Sequence, residues 1–143
     1  GGMRSTDQLQ MFKRIEIDSD GYFEHFFFAH GLSYMPHSAN ERVSHLNPGD
    51  KLFLCPDVQN DYDKAAVLIR TDSPPEIVGY CPRYFASDIK RMLLDNDDSI
   101  SLSVERISAD APHNYRLLCK AIGKVSKTFL DQMILQEEFQ PVV

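Results

Sequence analysis

"KLFLCPDVQNDYDKAAVLIR", residues Lys51–Arg70, sets two apolar runs on either side of a polar centre crowded with oxygen donors. A metal loop at that centre would be flanked by helices, whereas a turn would be flanked by two strands of one hairpin. An EF-hand loop beginning at Asp57 needs Gly at its sixth position and Glu at its twelfth. Tyr62 and Leu68 stand there instead, so the calcium reading fails. The flanks are short, rich in Val, Ile, Leu and Phe, and bounded by turn formers, which reads as strand, turn, strand.

The same grammar runs along the rest of the chain. "SISLSVER" (Ser99–Arg106) alternates apolar and polar strictly, and "YRLLCKAIGKV" (Tyr115–Val125) is its expected hairpin partner across "SADAPHN". "YFEHFFFAHG" reads as a strand ending at Gly31, and "EIVGYCP" (Glu76–Pro82) as another. "MFKRIEI" (Met11–Ile17) is a first strand or a lead-in segment. "SYMPHSANERVSHLNPGD" is expected to be a loop with a short helical turn capped by Asn40, closing on the turn Asn47-Pro48-Gly49-Asp50. Phe85, Ile89, Met92 and Leu93 fall at helical spacing, predicting an amphipathic helix over Tyr84–Leu94. In the tail, Phe129, Leu130, Met133 and Ile134 predict a second one. The expected fold is mainly β: a small barrel of the SH3 or OB kind, with about six strands, one mid-chain helix and a C-terminal helix. The expected division is a frayed start over 1–10 (Gly1-Gly2 before Met3 reads as a cloning remnant), a barrel over 11–125 and a helical tail over 126–143.

The chain has 143 residues, 43% apolar and 25% charged, which suits one soluble globular domain. No apolar run is long enough to cross a bilayer, and no signal-peptide layout opens the sequence, so no membrane partner is expected and the expected address is the cytoplasm. Cys55, Cys81 and Cys119 are scattered beside apolar sequence, which fits reduced, packed thiols. His30, His37 and His45 lack a common zinc-ligand spacing and have no flanking Cys, so neither metal nor other cofactor is expected. No nucleophile elbow or Gly-rich phosphate loop is present, and beyond a Cys81–His30 pairing nothing suggests a catalytic residue. The net charge of −6 opposes long-range attraction to a polyanion. Any nucleic-acid site must therefore be local, using stacking and hydrogen bonds at least as much as charge.

The order of the blocks is more specific than any one of them. "FFFAHGLSYM", "LNPGDKLFLCPD", "QNDYDKAAVLI" and "EIVGYCPRYFASDIKRML" follow one another between Phe26 and Leu94, and together they resemble the HIRAN domain family. That resemblance implies a barrel related to the SH3 and OB folds. It also implies a binding module, not an enzyme, that grips single-stranded DNA at a free 3′-hydroxyl end in a repair or replication setting. Carried over by residue, Tyr34 matches the tyrosine stacked on a base, and Asn60 and Asp63 match the polar pair at the terminal nucleotide. Tyr62 matches the second aromatic contact, and Arg83 falls at a phosphate-facing position. Three positions depart from the DNA-binding pattern: Ser33 replaces an Arg, Asp61 replaces a Pro, and Tyr80 replaces a His.

Each of these residues also has a purely structural reading. Asn60 and Asp63 are natural turn caps. Tyr34 and Tyr62 could pack on the barrel rim with wet hydroxyls, and Arg83 could pair with Asp88. A carboxylate in a DNA site makes sense where the ligand ends in a hydroxyl that donates to it. The competing expectation is an acidic module for protein interaction or homo-oligomer formation, working through the C-terminal helix and the barrel edge, with a DNA-repair protein as one candidate partner.

Overall fold

The computed structural model describes residues 15–63, 65–94 and 99–139. Six antiparallel strands carry the fold: β1 (Tyr22–Phe28), β2 (Lys51–Pro56), β3 (Val67–Arg70), β4 (Ile77–Tyr80), β5 (Ser99–Ile107) and β6 (Leu117–Lys124). They form one sheet in the order β1-β6-β5-β2-β3-β4. Past the end of β1, His30 and Tyr80 exchange two backbone hydrogen bonds, 2.9 and 2.8 Å, so the sheet curls until its first and last strands meet. Closure of this kind protects sheet edges that would otherwise offer unpaired N–H and C=O groups.

Alternation dictates the interior. Leu102 and Val104 of β5 are buried, and their register partners Ala121 and Cys119 of β6 are buried with them. Phe23 and Phe27 of β1, Leu52 of β2, Val67 and Ile69 of β3 and Val78 of β4 complete the inner wall. Helix α2 (Arg83–Leu94) packs on this core through Phe85, Ile89 and Met92 of the expected stripe together with Ala86, while Leu93 is only partly buried. Phe85 is fully buried against the rings of Phe27 and His25 at 5.1 and 4.6 Å, a burial that stabilises by about 1.5–3 kcal/mol.

The structure corrects several local expectations. The segment around Asn40 is a full helix, α1 (His37–Ser44), with Pro36 at its N-cap and Asn40 inside it. Pro36 presets the first turn, and Ala39 and Val43, one turn apart, give the helix a buried face. The first strand stops at Phe28 rather than Gly31, because the chain leaves it to make the His30–Tyr80 bridge. Ile15–Ile17 lies outside any strand, although Ile15 is buried; residues 11–14 of that expected segment fall outside the described residues. β3 begins at Val67, because the turn before it takes up the Ala65 and Ala66 amides. In helix α3 (Lys127–Phe139), Phe129 is buried under the Arg91 guanidinium and Leu130 packs partly on the core. That end of the tail stripe therefore serves its own domain, while the side chains of Met133 and Ile134 lie outside those described.

His25 makes the fold sensitive to acid. Its ring lies against Phe85, its Nε2 is 3.2 Å from the Tyr84 hydroxyl, and burial lowers its pKa from 6.5. His30 is lowered by burial as well. The unfolded chain then takes up protons near pH 6.5 that the folded chain refuses, so stability falls as pH drops below 6.5. Thermal melts are expected to show Tm declining from about pH 7 to about pH 5, with a shallower decline in His25→Phe. An identical slope in the variant would remove His25 from this account.

Candidate nucleic-acid interface

The loop joining β2 to β3 is built by its own side chains. Asn60 Oδ1 accepts the backbone N–H groups of Tyr62 and Asp63, both at 2.9 Å, and Asn60 Nδ2 donates to Asp57 Oδ2 at 3.4 Å. Asp63 Oδ1 accepts the Ala65 N–H at 3.0 Å, and the Asp57 N–H donates to the Ala66 carbonyl at 2.8 Å. Asx side chains commonly fix turns this way. The amide of Asn60 is thus committed to loop shape.

Four side chains are left for a ligand. Asp63 Oδ2 lies 3.6 Å from Arg83 Nε at the start of α2, with the Arg83 side chain 84% exposed and that of Asp63 27% exposed. Besides the pairing with Asp88 that sequence offers as a structural reading, Arg83 thus has Asp63 as an ion-pair partner. An ion pair this exposed contributes about 0–1 kcal/mol, so either partner can exchange it for a ligand group. Tyr62, between the two capping residues, is 98% exposed. Tyr34 is 91% exposed at the end of a single 3-10 turn, Leu32–Tyr34, which Leu32 anchors in the core. Neither ring packs on the barrel rim.

Beside Tyr34 lies a cleft of about 600 Å³, lined by Met35, Pro36, Asp57, Leu68, Arg70 and Tyr80 among others. Val67 and Ile69 point inward, so Leu68 and Arg70 face out into this cleft. Burial first, then the negative charge and acceptor oxygens of the neighbouring Asp57, raise the pKa of the Tyr80 hydroxyl above 10.0. The cleft runs from Met35 and Pro36, just past Tyr34, to Asp57 at the start of the loop, and none of the five sequence-derived residues lines it; of those five, Asn60, Tyr62 and Asp63 share the loop and Arg83 pairs with Asp63. Sequence brings Asp57 forward only as a donor in the rejected calcium loop and leaves Arg70 aside; the signal available was the period-two exposure of Leu68 and Arg70 after a polar loop.

Among the described residues, no group of three or more His, Cys, Asp or Glu could hold a metal ion. His30 bridges strands, His37 lies 3.8 Å from Glu41, and His45 bonds the Glu41 carbonyl. Burial pushes the thiols of Cys81 and Cys119 well up, which keeps both protonated at neutral pH and leaves the Cys81–His30 pairing without a thiolate.

The sequence profile of the HIRAN domain matches residues 22–126. Two crystal structures share the architecture. The HIRAN domain of human HLTF superposes with a TM-score of 0.53 at 16% identity, covering 86% of this chain and 93% of that one. A protein from Lactobacillus plantarum gives 0.54 at 17% identity, covering 73% of this chain and all of that one. No curated protein sequence matches. At these identities the structures speak for the fold, and the profile speaks for the lineage. With the profile spanning every strand, the chain belongs to the HIRAN domain family.

Proposed function

We propose that this HIRAN domain is a nucleic-acid-binding module that takes the free 3′-hydroxyl end of a DNA single strand, in a repair or replication setting. HIRAN domains are binding modules rather than catalysts, and the role requires no catalytic group. The observation that carries the reading is the display of two nearly fully exposed rings, Tyr34 and Tyr62, the second adjoining in sequence a carboxylate, Asp63, whose Oδ2 the loop itself does not use. Aromatic rings stack on any base. The terminal hydroxyl donates to Asp63 Oδ2, and Arg83 turns its exposed guanidinium to the nearest phosphate. Asn60 acts through the loop, holding Tyr62 and Asp63 in place. Asp61 and Asp57 keep the neighbourhood acidic, which disfavours internal phosphates there and suits a chain end.

A strand ending in a 3′-phosphate brings a dianion against Asp63 and loses the charge-assisted hydrogen bond, worth about 1.5–3 kcal/mol. Fluorescence-anisotropy titration at low salt is therefore expected to show a 3′-hydroxyl oligonucleotide binding about ten- to a hundredfold more tightly than its 3′-phosphate twin. Asp63→Asn keeps an oxygen for the Ala65 N–H but loses the charge, and should bring the two ends within about threefold. Equal binding of both ends by the unmodified protein would sink the end-reading role.

A further inference from the structure

We infer that the outer face of the barrel carries a second binding surface, a basic and aromatic track along which a nucleic-acid strand continues away from the cleft. The track follows from register. Side chains directly opposite one another in an antiparallel pair share a face. Phe26 of β1 faces Lys120 of β6, Lys120 faces Ser103 of β5, and Ser103 faces Lys51 of β2. One cross-strand row therefore reads Phe26, Lys120, Ser103, Lys51. Their inward neighbours Phe27, Ala121, Leu102 and Leu52 are buried, which fixes this row on the outside.

The row joins the cleft. Phe53, two residues beyond Lys51 on the same face, lies under the Arg70 guanidinium at 4.7 Å, and Arg70 lines the cleft. From β3 to β1 the path crosses four strand spacings, about 19 Å in all. A parallel row places Lys124 opposite Tyr22, with Nζ 5.1 Å from the ring centre, and Tyr22 and Phe26 are 53% and 44% exposed.

Charge distribution selects the occupant. The chain has 15 Lys and Arg against 21 Asp and Glu. Along these strands, among the described residues, Lys51, Lys120, Lys124 and Arg106 stand against Glu24 and the bulge residue Glu105, while Glu16 and Asp18 border the Tyr22 end and Asp20 and Asp131 lie near Lys124. Arg106 belongs there because, past the β5 bulge, it lies opposite Leu118, which in turn faces Phe28. A sheet face that sets four cations across its central rows, interleaved with the half-exposed rings of Tyr22 and Phe26, presents the groove-plus-stacking chemistry that single strands bind. The serines of β5 between them add hydroxyl donors for phosphate oxygens.

The track extends the proposed function, and the two are separable by strand length. An oligonucleotide of about three nucleotides occupies only the end site, whereas one of about twelve reaches across the face. The test is anisotropy titration of both lengths, with 3′-hydroxyl ends, over a salt series. The expected result is tighter binding of the longer strand, weakened about tenfold or more by Lys51→Glu/Lys124→Glu, with the short strand unchanged within about twofold. The salt slope of the longer strand should shrink by about 1.4, two contacts at about 0.7 each. Glu24→Lys, a change of opposite sign, should tighten the longer strand only. Both lysines and Glu24 are exposed, and unaltered melting confirms folding in all variants. Equal affinity for the two lengths, or a longer strand indifferent to the lysine and glutamate changes, overturns the track and leaves the end site standing. A short strand that fails to bind beside a longer strand with lysine-dependent binding overturns the end site and supports the track; binding of neither overturns both.

Discussion

Tyr34→Ala/Tyr62→Ala is expected to melt at the temperature of the unmodified protein and to bind a single strand about thirtyfold more weakly or worse. At 91% and 98% exposure the two rings contribute almost nothing to the core, so removing them leaves the fold energy unchanged. Base stacking is worth about 1–3 kcal/mol per ring, and two rings at the lower bound already amount to about thirtyfold. The loop should survive, since Tyr62 contributes only its backbone N–H to the Asn60 carbonyl. Tyr34→Phe/Tyr62→Phe keeps the stacking faces and should keep most of the affinity. Anisotropy with a base-containing oligonucleotide, beside a thermal melt, reads both quantities. Unchanged affinity in the alanine variant would show that the rings are displayed for something other than bases.

The barrel was legible because its strands are written in period two and its main helix in period 3.6. Ile100, Leu102 and Val104 predict the buried or half-buried face of β5, and Phe85, Ile89 and Met92 predict the buried face of α2. Features that depend on distant partners were not legible. Nothing local to "FAHG" says that the chain leaves β1 to bond Tyr80, fifty residues further along. Helix α1 was hidden because a helix of eight residues draws its stability from packing, not propensity. At the site, block order marked Tyr34, Asn60, Tyr62, Asp63 and Arg83, but only the coordinates separate their tasks. Asn60 is inward-facing in function, holding the loop, while Asp63 divides its two oxygens between the Ala65 amide and Arg83. The outer track was invisible in sequence, since Lys51, Ser103, Lys120 and Phe26 come from four strands and meet only through register.

Barrel closure should fail first at Gly79. A Cβ there would lie 2.7 Å from the His30 carbonyl oxygen and 3.4 Å from the Ala29 Cβ, at a φ of +154°. The obstructing oxygen accepts the Tyr80 N–H, one of the two bonds that close the sheet, so it cannot swing away as a flexible side chain would. Gly79→Ala must either strain the backbone or part His30 from Tyr80. Strain of this kind costs about 1–3 kcal/mol, and an orphaned buried backbone group about the same. Together these are a large share of a typical stability of about 5–15 kcal/mol, and Tm should fall on the order of 10 °C. Gly49→Ala supplies the comparison: its φ is +92°, but nothing lies within 4 Å of the added carbon. It should lose only the conformational part, about 1–2 kcal/mol. Hydrogen exchange localises the difference, with the His30 and Tyr80 amides losing protection in Gly79→Ala and keeping it in Gly49→Ala. Because Tyr80 lines the cleft beside Asp57, Gly79→Ala should weaken strand binding along with stability, unlike the tyrosine variant, which separates the two. Equal losses in the two glycine variants would mean that the His30–Tyr80 contact does not close the barrel.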